Sequence, residues 1–566
     1  NIEFNRDWNI TSPLLGNQSF LTSGLDFNFN NKGKTIYQFE NLAFGDAFSG
    51  NKHTLSGRYA TKNWMIWSNS SVMKSDSELS NSSFARSENR SSYKLGKNWV
   101  GATVNLEDNS EKLKTTNTFS ALSQRFLEYG AFVGRGDSTK VFVELGFLQR
   151  QNDSLQNNRI ERVNHSNSYY LKSQLIKTEK SNLSVFLNYR TLKYEDSNLK
   201  DEPSLNSRIL YSDRFFGQLI QTTTAYETSS GTIAQQEFTY LQVEPGQGVY
   251  MWNDYNGNGI QELQEFEIAP YSDLAIYVRV FLPNQVFVRT HQNKFSQALN
   301  FNFNQWQNEK GFKKFASHFY NQTSFLSDRK IKRNGANFDL NPFSKEEEEL
   351  IGLNTNFRNS LFFNRGKQHH STTYSFLLNE NQNLLSVGSV AAKNQSHQLQ
   401  YQHLVKKSWL FNFSGSTTKT ESTSENYPNR NFEIDGYQIE PKIGYLFSKN
   451  ASWDIFYEFQ QKENQIGAFE TLKQTRLGTS FTFNSEKGFS MNGEFSMYNN
   501  SYDGNALSAV GFQMLEGLQP GKNQTWRLLL QNILAQYLDV NINYHGRNSE
   551  TSKTIHTGNV QLRAFF

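Results

Sequence analysis

The chain has 566 residues, no cysteine, and 57 basic against 53 acidic side chains, a formal charge of +4. Disulfides and thiolate metal sites are therefore excluded, and the near balance of charge leaves no electrostatic footprint for nucleic acid. Mean hydropathy is −0.68 and no apolar run approaches the roughly 18 residues of a membrane helix, so any membrane crossing has to be made by strands.

The opening NIEFNRDWNI carries neither Met nor a signal peptide. It reads as a processed mature form or a piece of a longer protein, with a periplasmic domain expected upstream in the second case. The chain then settles into alternation. Its 47 Phe and 26 Tyr recur at every second position among polar residues, as in SNLSVFLNYR, where Leu183, Val185, Leu187 and Tyr189 oppose Ser184, Phe186, Asn188 and Arg190. That is the period of a strand with one apolar face.

Short Lys/Gly/Asn turns punctuate the strands near residues 33, 62, 97, 137, 180 and 231, and again near 309, 365, 407, 449, 487 and 522. Polar stretches such as DSELSNSSFARSENR and TKTESTSENYPNRN separate them at the other end. Long strands, tight turns at one end and long loops at the other describe an all-β, antiparallel transmembrane outer-membrane barrel, with periplasmic turns and extracellular loops. The turns predict roughly 26 strands, within about 22 to 28. Trp64, Trp99, Trp409, Trp453 and Trp526 each follow a turn and are expected in the aromatic girdle at the lipid boundary.

Residues 240–290 break the pattern as an insertion or long loop on the extracellular side. Within it, DYNGNGIQELQE fits the calcium-loop spacing, with Asp254, Asn256, Asn258 and Glu265 in register, Ile260 offering a carbonyl and Glu262 a carboxylate. The expectation is a weak, structural Ca2+ clip. An Asx/Gly turn that binds nothing gives the same pattern.

Further on, SKEEEEL puts Ser344 and Glu347 at capping-box spacing. KQHHSTT sets His369 beside His370, and strand neighbours point to opposite faces, which argues against one shared metal. Pro441, inside GYQIEPKIGYLF, predicts a bulge. The remaining His are scattered and no Ser/His/acid grouping emerges, so no catalytic residues are assigned.

The last strand alternates Val560, Leu562, Ala564 and Phe566 with Asn559, Gln561 and Arg563. It resembles the carboxy-terminal assembly signal of bacterial outer-membrane barrels, with Ala564 where an aromatic is common; the resemblance implies recognition by the barrel-assembly machinery. Together with YMWNDYNGNGIQELQEFEIA and GLQPGKNQTW, it resembles the carboxy-terminal barrel of large outer-membrane proteins of Bacteroidota. Membership of that group implies an outer-membrane location and other outer-membrane or lipoprotein subunits as partners. About 26 strands enclose a hole on the order of 50 Å across, which needs a plug. The leading expectation is a plugged conduit or scaffold subunit in protein secretion or outer-membrane protein assembly. A self-contained uptake receptor or channel and a calcium-stabilised surface adhesin are the alternatives.

Overall fold

The computed structural model describes the chain apart from residues 1–3, 6–7, 9, 11–16, 138, 197, 236–237, 283–285, 334–337, 345–349, 368, 386–387, 486–487, 536–537 and 565–566. Glu347 and Phe566 thus lie outside the described residues. Twenty-five strands join one sheet and four short ones make a second. The large sheet is the wall of an antiparallel outer-membrane β-barrel, and its strands run from 10 residues (Ile555–Ala564) to 19 (Arg159–Lys177).

The alternation has a physical consequence in the register. Tyr457 pairs with Leu477 and Leu477 with Met497, a cross-strand apolar row that stands open, with Leu477 54 % exposed. One residue along, Arg476 faces the other way and donates to Glu458 (3.2 Å) and Glu494 (2.6 Å). A charge on the lipid side of a barrel costs about 2–4 kcal/mol at the midplane. Sorting of charges to one face and exposed aliphatic and aromatic rows to the other therefore has one stable solution, with the apolar face in the outer membrane and the polar face inward.

The chain divides into two compact units, residues 1–212 with 225–231 and 334–339, and residues 213–224 with 232–333 and 340–566. In the first, the polar face carries a built network. Arg90 donates to both oxygens of Glu144 at 2.8 Å, and the Trp99 indole (3.0 Å) and the Tyr170 hydroxyl (3.2 Å) donate to the same carboxylate. Trp8 is packed against Leu42, Phe48, Met73 and Phe84.

In the second unit the 504–520 loop folds onto the polar face. The helix Ala509–Leu515 is capped by the Ser508 side chain, which accepts from the Gly511 amide at 3.0 Å. Val510, Met514 and Leu515 pack on Ile434 and Leu472.

Most tight turns fall where the Lys/Gly/Asn pattern places them, and three do not. Near 309 the connection runs over 303–318 and folds into the short helical turns Phe303–Trp306 and Phe312–Ala316. Gly231 lies inside the strand Ile220–Gln235, and the turn instead spans 216–219, where Phe216, Gly217 and Gln218 all have positive φ. Gly521 opens a strand after the long 504–520 loop; a Gly/Pro signature marks the exit of a long loop as readily as a tight turn. Pro441 makes no bulge. Pairing with the next strand lapses at 440–441, and the register is the same before and after, Ile439 with Phe459 and Lys442 with Phe456. Proline removes one donor without adding a residue.

Candidate functional site

The insertion folds on itself. Phe238–Gln242 pairs with Tyr277–Phe281, Tyr250–Trp252 joins that strand through Tyr250 and Tyr277, and Phe266–Ile268 pairs with Tyr250–Trp252. Strands this short cannot stand as a sheet by backbone pairing alone, and rings supply the core. Tyr240 stacks on Phe266 at 4.0 Å, Phe266 meets Tyr277 edge-on at 5.0 Å, and Arg279 lies over Phe238 and Tyr250.

Between Trp252 and Phe266 runs the 254–265 loop. Asp254 accepts the amides of Gly257 (2.7 Å), Asn258 (3.2 Å) and Gly259 (2.8 Å). Gly257 and Gly259 both sit at φ 72°, which L side chains avoid. The Asn256 side chain accepts from the Asn258 amide (3.0 Å) and Asn258 from the Ile260 amide (2.7 Å). Glu262 accepts from Asn256 at 2.8 Å.

Glu265 is 1 % exposed and turned inward, accepting the Trp252 indole (2.8 Å) and the Tyr255 amide (3.2 Å). Asp254, Asn256 and Asn258 therefore line one turn, while Glu265 pins its base. The carboxylates of Asp254, Glu262 and Glu265 do not converge; among the described residues the one convergent group of potential metal ligands is His369, His370 and His403.

Two arginines tie this small sheet to other elements of the second unit, to which it belongs. Arg430, in the loop after the strand Trp409–Ser424, donates to the Gln264 carbonyl and to Glu267. Arg547 forms a two-pronged pair with Asp273, 2.6 Å on each side, and covers the Tyr271 ring at 4.2 Å. The hydrogen bonds from Arg547 hold the Asp273 carboxyl below its usual range. Burial pushes Glu267 up, against the opposing pull of Arg430, and burial likewise raises the Tyr255 hydroxyl that donates to Glu267 at 3.2 Å.

A cavity of about 430 Å3 opens beside the Asp273 clamp, lined among others by Tyr271, Glu494, Tyr498, Arg527, His545 and Arg547. Both signs of charge and two phenol rings face it, a setting for a polar solute of modest size. None of the clamp residues is marked by a local motif. Arg547 reads only as one more polar-face position, and its partner lies 274 residues away.

The other predicted positions distribute as follows. Trp64, Trp409 and Trp453 open their strands at the short-turn end and stand exposed. Trp99 lies on the polar face, held by Glu144, because the face is set by the parity of the strand and Val100 takes the outward place. Trp526 is outward but at the opposite end, its indole donating to the Tyr544 hydroxyl at 3.2 Å. Val560 and Leu562 are exposed on the last described strand, where Ala564 is its final residue.

No protein-family profile matches the sequence, and no curated protein does. Solved structures it is similar to include the ferric-catecholate import receptor Fiu of E. coli K12 in its closed form, at 9 % identity over 91 % of this chain and 77 % of that one, with a TM-score of 0.31. The ferric preacinetobactin receptor BauA of Acinetobacter baumannii matches at 11 % identity over 97 % and 78 % with a TM-score of 0.32. The copper transporter OprC matches at 8 % over 93 % and 73 % with a TM-score of 0.29. Likeness at this level carries no argument about what this chain does.

Proposed function

We propose that the chain is a self-contained outer-membrane uptake channel whose inserted sheet, residues 238–281, is the gate. The carrying observation is the clamp: a folded element with its own aromatic core, fastened to a wall strand by Arg547–Asp273 and to the loop after Trp409–Ser424 by Arg430–Glu267. An element that only decorated a loop would not need two guanidinium ties. The 430 Å3 cavity beside the clamp lies in the range of small-molecule sites, about 300–1,000 Å3. A solute bound there competes for the groups that hold the gate shut, so occupancy and opening are linked. A conduit for polypeptide would call for an extended groove instead, which is why uptake is preferred to a secretion scaffold.

The test is planar-bilayer recording of the purified full chain. Low basal conductance is expected, with frequent openings in Arg547→Ala and a permanently open pore when residues 238–281 are replaced by a short Gly/Ser turn. An unchanged conductance in the deletion sinks the gate reading. Stoichiometric protein partners after mild-detergent extraction, with a pore that stays shut, would favour the scaffold.

A further inference from the structure

We infer that His369, His370 and His403 form a site for a divalent transition-metal ion of the zinc type at the short-turn rim of the wall. His369 sits in the bend before the strand His370–Leu385 rather than inside it, so the rule that strand neighbours point apart does not apply to it. His370 pairs directly with His403 across the hairpin formed with the strand Gly388–Val405. Strand parity puts both on the side of Tyr374 and Tyr401, and the bend brings His369 over them.

The geometry suits a metal better than a hydrogen-bond network. One ring nitrogen of each of the three lies within 4.8 Å of the others. The Nδ1 atoms of His369 and His370 are 3.4 Å apart. Zinc–nitrogen bonds of about 2.0–2.1 Å at a tetrahedral angle place two ligand nitrogens roughly 3.3–3.4 Å apart. The His369 ring stands nearly perpendicular to His403, with centroids 5.1 Å apart. His403 Nδ1 is buried and has no hydrogen-bond partner among the described residues. A buried imidazole nitrogen without a partner is a lone pair in search of a cation or a donor.

The surroundings supply an orienting partner. The Asn364 side-chain amide lies 2.7 Å from His370 Nε2, and its other end is 2.6 Å from His318 Nδ1. An amide can be turned end for end at no cost in shape. With its oxygen toward His370 it accepts the Nε2–H, which leaves Nδ1 unprotonated and aimed at His369. That is the second-shell arrangement metal-bound histidines use. The Lys367 ammonium is directed at His318 (3.4 Å). His369 is exposed, so the fourth position is open to water. A bound ion would pin the bend at His369 to the strand Gly388–Val405.

The test uses the full chain folded in detergent and stripped with chelator, titrated with ZnCl2 in a calorimeter. One ion per chain is expected, with X-ray absorption showing about three imidazole nitrogens near 2.0 Å. His369→Ala and His403→Ala should each weaken binding at least about tenfold, and Asn364→Ala by about tenfold, the range for an orienting partner. Heat-modifiable gel mobility checks that each variant has folded. His369→Ala, at an exposed position in a bend, keeps the test decisive if the half-buried His403 variant fails that check. Binding of less than one ion per chain, or binding that survives His369→Ala unchanged, overturns the site.

Discussion

At the scale of single residues, Glu265 decides what the 254–265 loop is. Its carboxylate is spent on the Trp252 indole and the Tyr255 amide, and the loop is closed by backbone amides on Asp254. Glu265→Ala takes the acceptor from the half-buried Trp252 indole and from the Tyr255 and Glu262 amides, each bond worth about 0.5–1.5 kcal/mol. Limited proteolysis should therefore cut the loop faster in this variant, equally with calcium and with chelator. Protection that appears in the parent chain only when calcium is present would support a bound cation instead. The Asp/Asn/Gly spacing was legible because it is local. The inward turn of Glu265 was not, since it depends on Trp252 lying across a hairpin. His403 was legible in principle: recognising that His370–Leu385 and Gly388–Val405 are paired strands sets it opposite His370 by register alone.

Among the elements, the wall depends on glycines that make room for rings on the neighbouring strand. A Cβ at Gly134 would lie 2.1 Å from the Trp99 ring, at Gly146 2.2 Å from Tyr170, and at Gly101 2.2 Å from Phe132. Each ring lies flat over a gap in the side-chain row, which is how barrels fill bare backbone. Gly146→Ala should force Tyr170 off Glu144 and cost about 1–3 kcal/mol by overpacking. Urea unfolding of the refolded protein would register this as a lower midpoint, whereas an unmoved midpoint means the ring relocates freely. Alternation made strand existence and face readable from sequence. Which glycine faces which ring follows from inter-strand register, and the pattern misplaces tight turns near 231, 309 and 522 because glycine also serves inside strands, before short loop helices and at loop exits.

For the whole molecule, the two clamps respond to acid in opposite ways. Asp273 has its pKa lowered by Arg547, so its contribution is complete above the ordinary Asp value of about 3.9 and is lost only as pH falls through the depressed value. Glu267 has its pKa raised by burial. It is neutralised above the ordinary Glu value of about 4.3, and its protonation favours the packed state while removing the charge that Arg430 meets. Acidification should therefore loosen the Asp273 side first, as pH falls below the ordinary Asp value, and leave the Glu267 side packed. Thiol labelling of cysteines introduced at Gln261 and at Ser272 can follow this, with the latter exposed at higher pH. Simultaneous exposure would mean a single cooperative release.

Class and strand number were legible at this scale, because each follows from period and spacing. The clamps were not, because they join residues hundreds of positions apart. The strands of the insertion pair only with one another, and the wall strands that flank it are themselves neighbours, as the Thr224–Gln297 hydrogen bond of 2.6 Å shows. Removing or exchanging the segment leaves no gap in the ladder. In evolutionary terms it is a cassette: recombination can trade one such sheet for another while the lineage keeps its wall.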